Sequence, residues 1–217
     1  MDAPRPAREP APAGARPAPA AVAPLWASAF RPFYLLGSLY APLLALGGAG
    51  AWLGWVDLPG AGLALPLWHG HEMVFGFVVA IVVGTLLTAL PSWAGLPEIR
   101  GTPLALLAAL WLLGRVAFWA APWLPLPLVM AADALLLPVL AALLAAPLWR
   151  ALNRLYRLLL PILLALVASN LAYHAALLMA DTALAERALR GAVWALVVLY
   201  SLKGGLLTPV FTGNARS

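Results

Sequence analysis

Residues 68–91 read WHGHEMVFGFVVAIVVGTLLTALP. After Glu72 this stretch carries no charged side chain, and from His71 to Pro91 it is apolar over the roughly 20 residues that a helix needs to cross about 30 Å of hydrocarbon. Its reading decides the fold: the run is a membrane span, and two of the chain's three histidines and a glutamate stand at its mouth. A charged side chain inside a bilayer costs roughly 2.5–3.5 kcal/mol on insertion, so such residues mark function by default. Trp68 to Phe77 is therefore the first place to look for chemistry.

Composition extends the reading to the whole chain. Of 217 residues 64% are hydrophobic and 10% charged, against about 25% charged in a soluble domain. The mean hydropathy is +0.93. The chain is an integral membrane protein whose first partner is the lipid bilayer. The net charge of +5 comes from 13 basic against 8 acidic residues, but the basic residues sit between apolar runs, where they direct topology rather than bind nucleic acid. There is no cysteine, so a metal must use His, Met, carboxylate or backbone oxygen.

Residues 1–24 are almost entirely Ala, Pro and Arg, with prolines at 4, 6, 10, 12, 17, 19 and 24. No helix propagates through that spacing and no core forms from that composition, so a disordered cytoplasmic tail is expected. No apolar signal region precedes Leu35, so the N-terminus is expected to be retained. Residues 25–217 form the second unit, an all-α transmembrane domain. Six apolar segments, 33–55, 71–91, 103–121, 126–148, 158–180 and 189–210, predict six helices in one antiparallel bundle with short connections. Pro59, Pro66, Pro97, Pro125 and the stretch Arg150 to Arg157 punctuate the joins. Gly50 and Gly54 form a GxxxG, a weak match in a chain with 18 glycines.

Arg5, Arg8, Arg16, Arg31, Arg100, Arg150, Arg154, Arg157 and Arg216 fall on one side of such a bundle, and Arg187 and Arg190 on the other. The positive-inside rule places the N-terminus in the cytoplasm. His69, His71 and His174 then lie toward the external face, at the depth of Arg115, Asp133 and Asn170, and a shared depth favours one polar site. Against it stands an Arg115–Asp133 pair that merely neutralises itself. Lys203 has no evident partner. Residues two apart on a helix diverge by about 200°, so His69 and His71 face one ion only if His69 precedes the helix on a turn at Gly70. His69 reads equally as a ligand or as an interfacial anchor beside Trp68. His71 and His174 read as ligands. The H-E-x-x-H metalloprotease pattern fails, because Phe75 stands at the second histidine's place.

The strings Phe30-Arg31-Pro32-Phe33, Trp68-His69-Gly70-His71-Glu72-Met73, Phe75-Gly76-Phe77, Leu87-Thr88-Ala89 and Pro91-Ser92-Trp93 together resemble the NnrS proteins of bacteria. Gly114-Arg115, Asp133, Asn153-Arg154, Asn170 to His174, Gly204-Gly205, Pro209 and Phe211-Thr212-Gly213-Asn214-Ala215 continue the resemblance in order. It implies a haem- and copper-containing protein of the bacterial inner membrane, linked to nitric oxide metabolism, nitrosative stress tolerance and denitrification. Family members usually carry arginine where this chain has Leu206 and Gly213, and they are usually about twice as long. The resemblance thus covers what would be their N-terminal half, and a complementary half or a homo-oligomer is an implied partner.

Ligand arithmetic bears on that implication. A bis-histidine haem takes two axial ligands and an oxidase-type copper about three histidines, whereas this chain has three in all. The preferred assignment is a b-type haem between His71 and His174, with Arg115 near a propionate and Glu72 fixing an imidazole tautomer. His69, His71 and His174 are the candidate metal ligands. A small-solute transporter, a cofactor-free subunit and a truncated remnant are the other classes, and no internal repeat between 33–121 and 126–210 supports the transporter. Whether the protein catalyses a reaction is open at this point.

Overall fold

The computed structural model describes residues 23–57, 64–95, 97–151 and 153–214. All but the last two residues of the expected 1–24 tail lie outside them, as do Pro59, Ala215 and Arg216. The described elements are all helical: α1 (Phe30–Trp52), α2 (Leu65–His71), a π-helical stretch (Glu72–Val78), α3 (Val79–Ala94), α4 (Thr102–Trp119), α5 (Leu126–Ala134), α6 (Leu136–Arg150), α7 (Leu159–Leu178) and α8 (Thr182–Asn214). Among the described residues five helical stretches are long and apolar enough to cross a membrane: Phe30–Trp52, Leu65–Ser92, Thr102–Trp119, Leu126–Arg150 and Arg154–Leu178. The sixth expected segment, 189–210, is helical throughout and belongs to α8, whose 33 residues reach about 50 Å.

Prolines set several of the helix boundaries. Pro66, Pro103 and Pro127 stand in the first turns of α2, α4 and α5, where a missing N–H is no loss. The second span consequently starts at Leu65 and not at His71, which moves His69 and His71 from a loop mouth into regular helix. Gly95, in the left-handed conformation at φ 65°, closes α3. The break between α5 and α6 falls at Leu135. Three residues on, the ring of Pro138 excludes the carbonyl four positions before it, that of Ala134, from the helical ladder.

Sequence neighbours are also packing neighbours: α1 lies on α3, α4 on α5, α6 on α7 and α7 on α8. The result is the antiparallel bundle that the short connections predict. In hydrocarbon, association rests on close packing rather than on expulsion of water, so small residues at crossings matter. A Cβ on Gly37 would stand 2.9 Å from Ile81 Cδ1, and one on Gly84 would stand 3.0 Å from Phe33 Cβ, which fixes the α1–α3 crossing. Gly114 does the same for α4 and α5. Gly50 and Gly54 make no such seam: Gly54 lies beyond α1 at φ +71°, and a Cβ on Gly50 would meet only Val56.

Large apolar side chains cover the outside, among them Trp52, Trp55, Trp123 and Trp149 near helix ends, the places where indole rings settle at a bilayer interface. Arg31, Arg100, Arg150, Arg154 and Arg157 gather at one end of the bundle. At Gly114 a Cβ would stand 3.1 Å from Asp133 Cα, a backbone atom that cannot swing aside. Gly114→Ala should therefore destabilise the purified protein by about 1–3 kcal/mol. Gly205→Ala, with nothing within 4 Å of the new methyl, should be neutral or stabilising, and thermal unfolding in detergent compares the two.

Candidate metal centre

Six polar side chains meet inside the half of the bundle away from the arginine-rich end: His71, Glu72, Arg115, Asp133, Asn170 and His174. All are buried, His71, Glu72 and His174 completely. They come from α2, the π-helical stretch, α4, α5 and α7. Arg115 donates through Nη1 to Glu72 Oε1 and through Nη2 to Asp133 Oδ1. The other oxygen of Glu72 accepts from the Tyr40 hydroxyl of α1, which itself accepts from Trp119 Nε1 at 2.6 Å. The other oxygen of Asp133 accepts from Asn170 Nδ2 at 3.1 Å and lies 2.7 Å from His174 Nε2 and 3.3 Å from His71 Nε2. Asp133 Oδ2 is the atom on which both imidazoles converge.

The environment of His71 is one-sided. Its Nδ1 lies 3.2 Å from Glu72 Oε1, and its Nε2 lies 3.0 Å from Asn170 Oδ1 as well as 3.3 Å from Asp133 Oδ2. Both ring nitrogens thus face acceptor oxygens, yet a neutral imidazole has a single N–H to give. The formal charges tell the same story: two carboxylates stand against one guanidinium. With both carboxylates ionised the cluster is one positive charge short, and an uncompensated buried charge costs several kcal/mol. One donor atom from each of His71, Asp133 and His174 lies within 4.8 Å of the other two. Ligands on a tetrahedral ion with bonds of about 2.0–2.2 Å stand roughly 3.3–3.6 Å apart, so these three atoms lie near the spacing that one cation would ask of them.

A haem fits less well. The rings of His71 and His174 lie edge to face with centroids 5.4 Å apart. His71 is also stacked between Phe118 at 4.3 Å and Tyr173 at 4.5 Å. The cavity beside Arg115 and Asp133 measures about 10 Å³, room for about one water molecule. As arranged, His71 and His174 do not fit the two faces of one porphyrin, and Arg115 is engaged with two carboxylates rather than turned toward a propionate.

His69 stands apart from the cluster. Because α2 is regular helix through His71, the two imidazoles diverge, and His69 packs on Gly48 of α1, where a Cβ would stand 2.9 Å from its Nδ1. Three residues escaped the sequence reading. Tyr40 and Trp119 extend the cluster toward α1, and Tyr173 holds His71 while donating to the Leu67 carbonyl at 3.0 Å. Asp133 was expected at the depth of the polar site or as a counter-charge to Arg115, but not as the residue between the two histidines.

The π-helical stretch aims the site. With i→i+5 bonding, it inserts a wide turn of the kind that recurs at functional sites. It presents Gly76 where Tyr40 Cε1 would lie 2.7 Å from an added Cβ, and the Gly76 carbonyl accepts from Trp111 Nε1 at 2.9 Å.

The family model described as NnrS protein matches residues 24–216. The chain belongs to the NnrS family. No curated protein and no solved structure matches it. In this NnrS family member only part of what carried the resemblance meets at the cluster: the Trp68–Met73 motif supplies His71 and Glu72, Gly114-Arg115 the guanidinium, Asp133 the second carboxylate, and the Asn170–His174 stretch the α7 side. Gly204-Gly205 lies away from the cluster.

Two substitutions test the cluster. Arg115→Met leaves two carboxylates buried without their cation and should destabilise the protein by about 3–5 kcal/mol. Arg115→Met combined with Glu72→Gln and Asp133→Asn should recover most of that loss, as thermal unfolding of the series would show.

Proposed function

We propose that this NnrS family member holds one redox-active transition-metal ion on His71, Asp133 and His174, copper in the reading that the resemblance implies, and that it handles nitric oxide at the bacterial inner membrane. The observation that carries the proposal is the convergence of two imidazoles and a carboxylate, all buried, on one point inside the bundle. Two histidines and one carboxylate form a set that first-row metals accept, with positions left open.

A bound copper ion would supply one-electron chemistry and a coordination position for nitric oxide. The surrounding residues prepare that place. Glu72 beside His71 Nδ1 favours a proton there and leaves the Nε2 lone pair directed at the Asp133 side. Asn170 and Arg115 fix the two oxygens of Asp133, and Phe118 and Tyr173 hold the His71 ring and keep water out. On the positive-inside rule the arginine-rich end faces the cytoplasm and the site lies in the outer half of the bilayer, where an uncharged gas enters through lipid.

The test is the metal content of the detergent-purified full chain after loading with copper, iron(II) or zinc and desalting. About one ion per chain is expected, falling at least tenfold in His71→Ala, His174→Ala and Asp133→Asn but not in His69→Ala. A nitrosyl signal in electron paramagnetic resonance should follow the metal. A folded wild-type chain that retains no ion would make the cluster a purely structural network, and a stoichiometric haem absorption band lost with either histidine would overturn the single-ion reading.

A further inference from the structure

Away from the cluster, at the arginine-rich end, an apolar cleft opens between α3, the start of α7 and α8. Val82 and Leu86 form one wall, Leu159 and Leu199 the others, and Tyr156, Tyr200 and Lys203 stand at its rim. Lys203 lines this cleft beside Tyr156 and Leu159, which adjoin Arg154 and Arg157 where α7 begins, and so stands at the level of those arginines. Among the described residues no carboxylate reaches it; its Nζ rests 5.3 Å from the centroid of the Tyr200 ring.

Gly204 and Gly205 follow directly. A Cβ on either would meet nothing within 4 Å, so no packing within the described chain calls for them. Each glycine nevertheless weakens a helix relative to alanine. A bare backbone, an ammonium that meets no carboxylate among the described residues and an apolar cleft below it form a surface shaped for a molecule with an anionic head and an acyl tail.

We infer that this cleft binds one anionic phospholipid, its acyl chain between α3, α7 and α8 and its phosphate on Lys203. Basic pockets between transmembrane helices take such headgroups, with about 1 kcal/mol per basic side chain, roughly fivefold in affinity. The site is independent of the metal reading.

Native mass spectrometry of the delipidated full chain tests it, with phosphatidylglycerol and phosphatidylcholine of the same acyl chains. One phosphatidylglycerol per chain should be retained about fivefold more strongly than phosphatidylcholine. Lys203→Gln should lower it to the phosphatidylcholine level, Lys203→Arg should preserve it, and neither should change metal content. Soluble glycerol phosphate should not displace the lipid. Equal retention of the two lipids, a Lys203→Gln variant that still prefers phosphatidylglycerol, displacement by glycerol phosphate, or a dimer that excludes lipid from the cleft would each overturn the assignment.

Discussion

The position of Arg115 constrains the whole bundle. A guanidinium inside hydrocarbon is tolerated only when its charge is met and its hydrogens are accepted, and here two carboxylates from different elements do so. Glu72 and Asp133 are in turn held by Tyr40, Asn170 and the two histidines, so α1, α2, α4, α5 and α7 are tied to one point. Leucine and valine can slide past each other in a membrane at little loss, because lipid tails are as apolar as they are. Charged partners cannot, and the cluster therefore sets the rotation and depth of each helix around it.

The same property made much of the site legible in the sequence. Polar residues are rare in these apolar runs, so His71, Glu72, Arg115, Asp133, Asn170 and His174 stood out individually, and their common depth followed from helix rise and topology alone. Which of them touch was not readable, since partners 18 to 99 residues apart along the chain are joined only by packing. Tyr40 was invisible because nothing local separates it from Tyr34, six residues earlier in the same helix, whose hydroxyl bonds Thr85 on the lipid-facing side.

The boundaries show how far local rules reach. Pro66 reads as a break between segments, yet proline in a first turn opens a helix, and the span begins at Leu65. That one shift places His69 and His71 on regular helix, and the angular argument then separates them, His69 toward Gly48 and His71 into the cluster. Pro138 likewise explains the division between α5 and α6. The π-helical stretch had no such signal, because Glu72 to Val78 contains no residue that forbids an ordinary turn.

That wide turn makes the second span two helices keyed to each other by rotation. Each residue of a helix advances about 100°, so the extra residue accommodated between His71 and Val79 decides which way the motif faces relative to the apolar ridge that α3 lays against α1. The wide turn holds one residue more than a regular turn would, so losing an apolar residue there would keep the hydropathy and close the turn into ordinary helix, shifting Gly76 and its carbonyl from Tyr40 and Trp111.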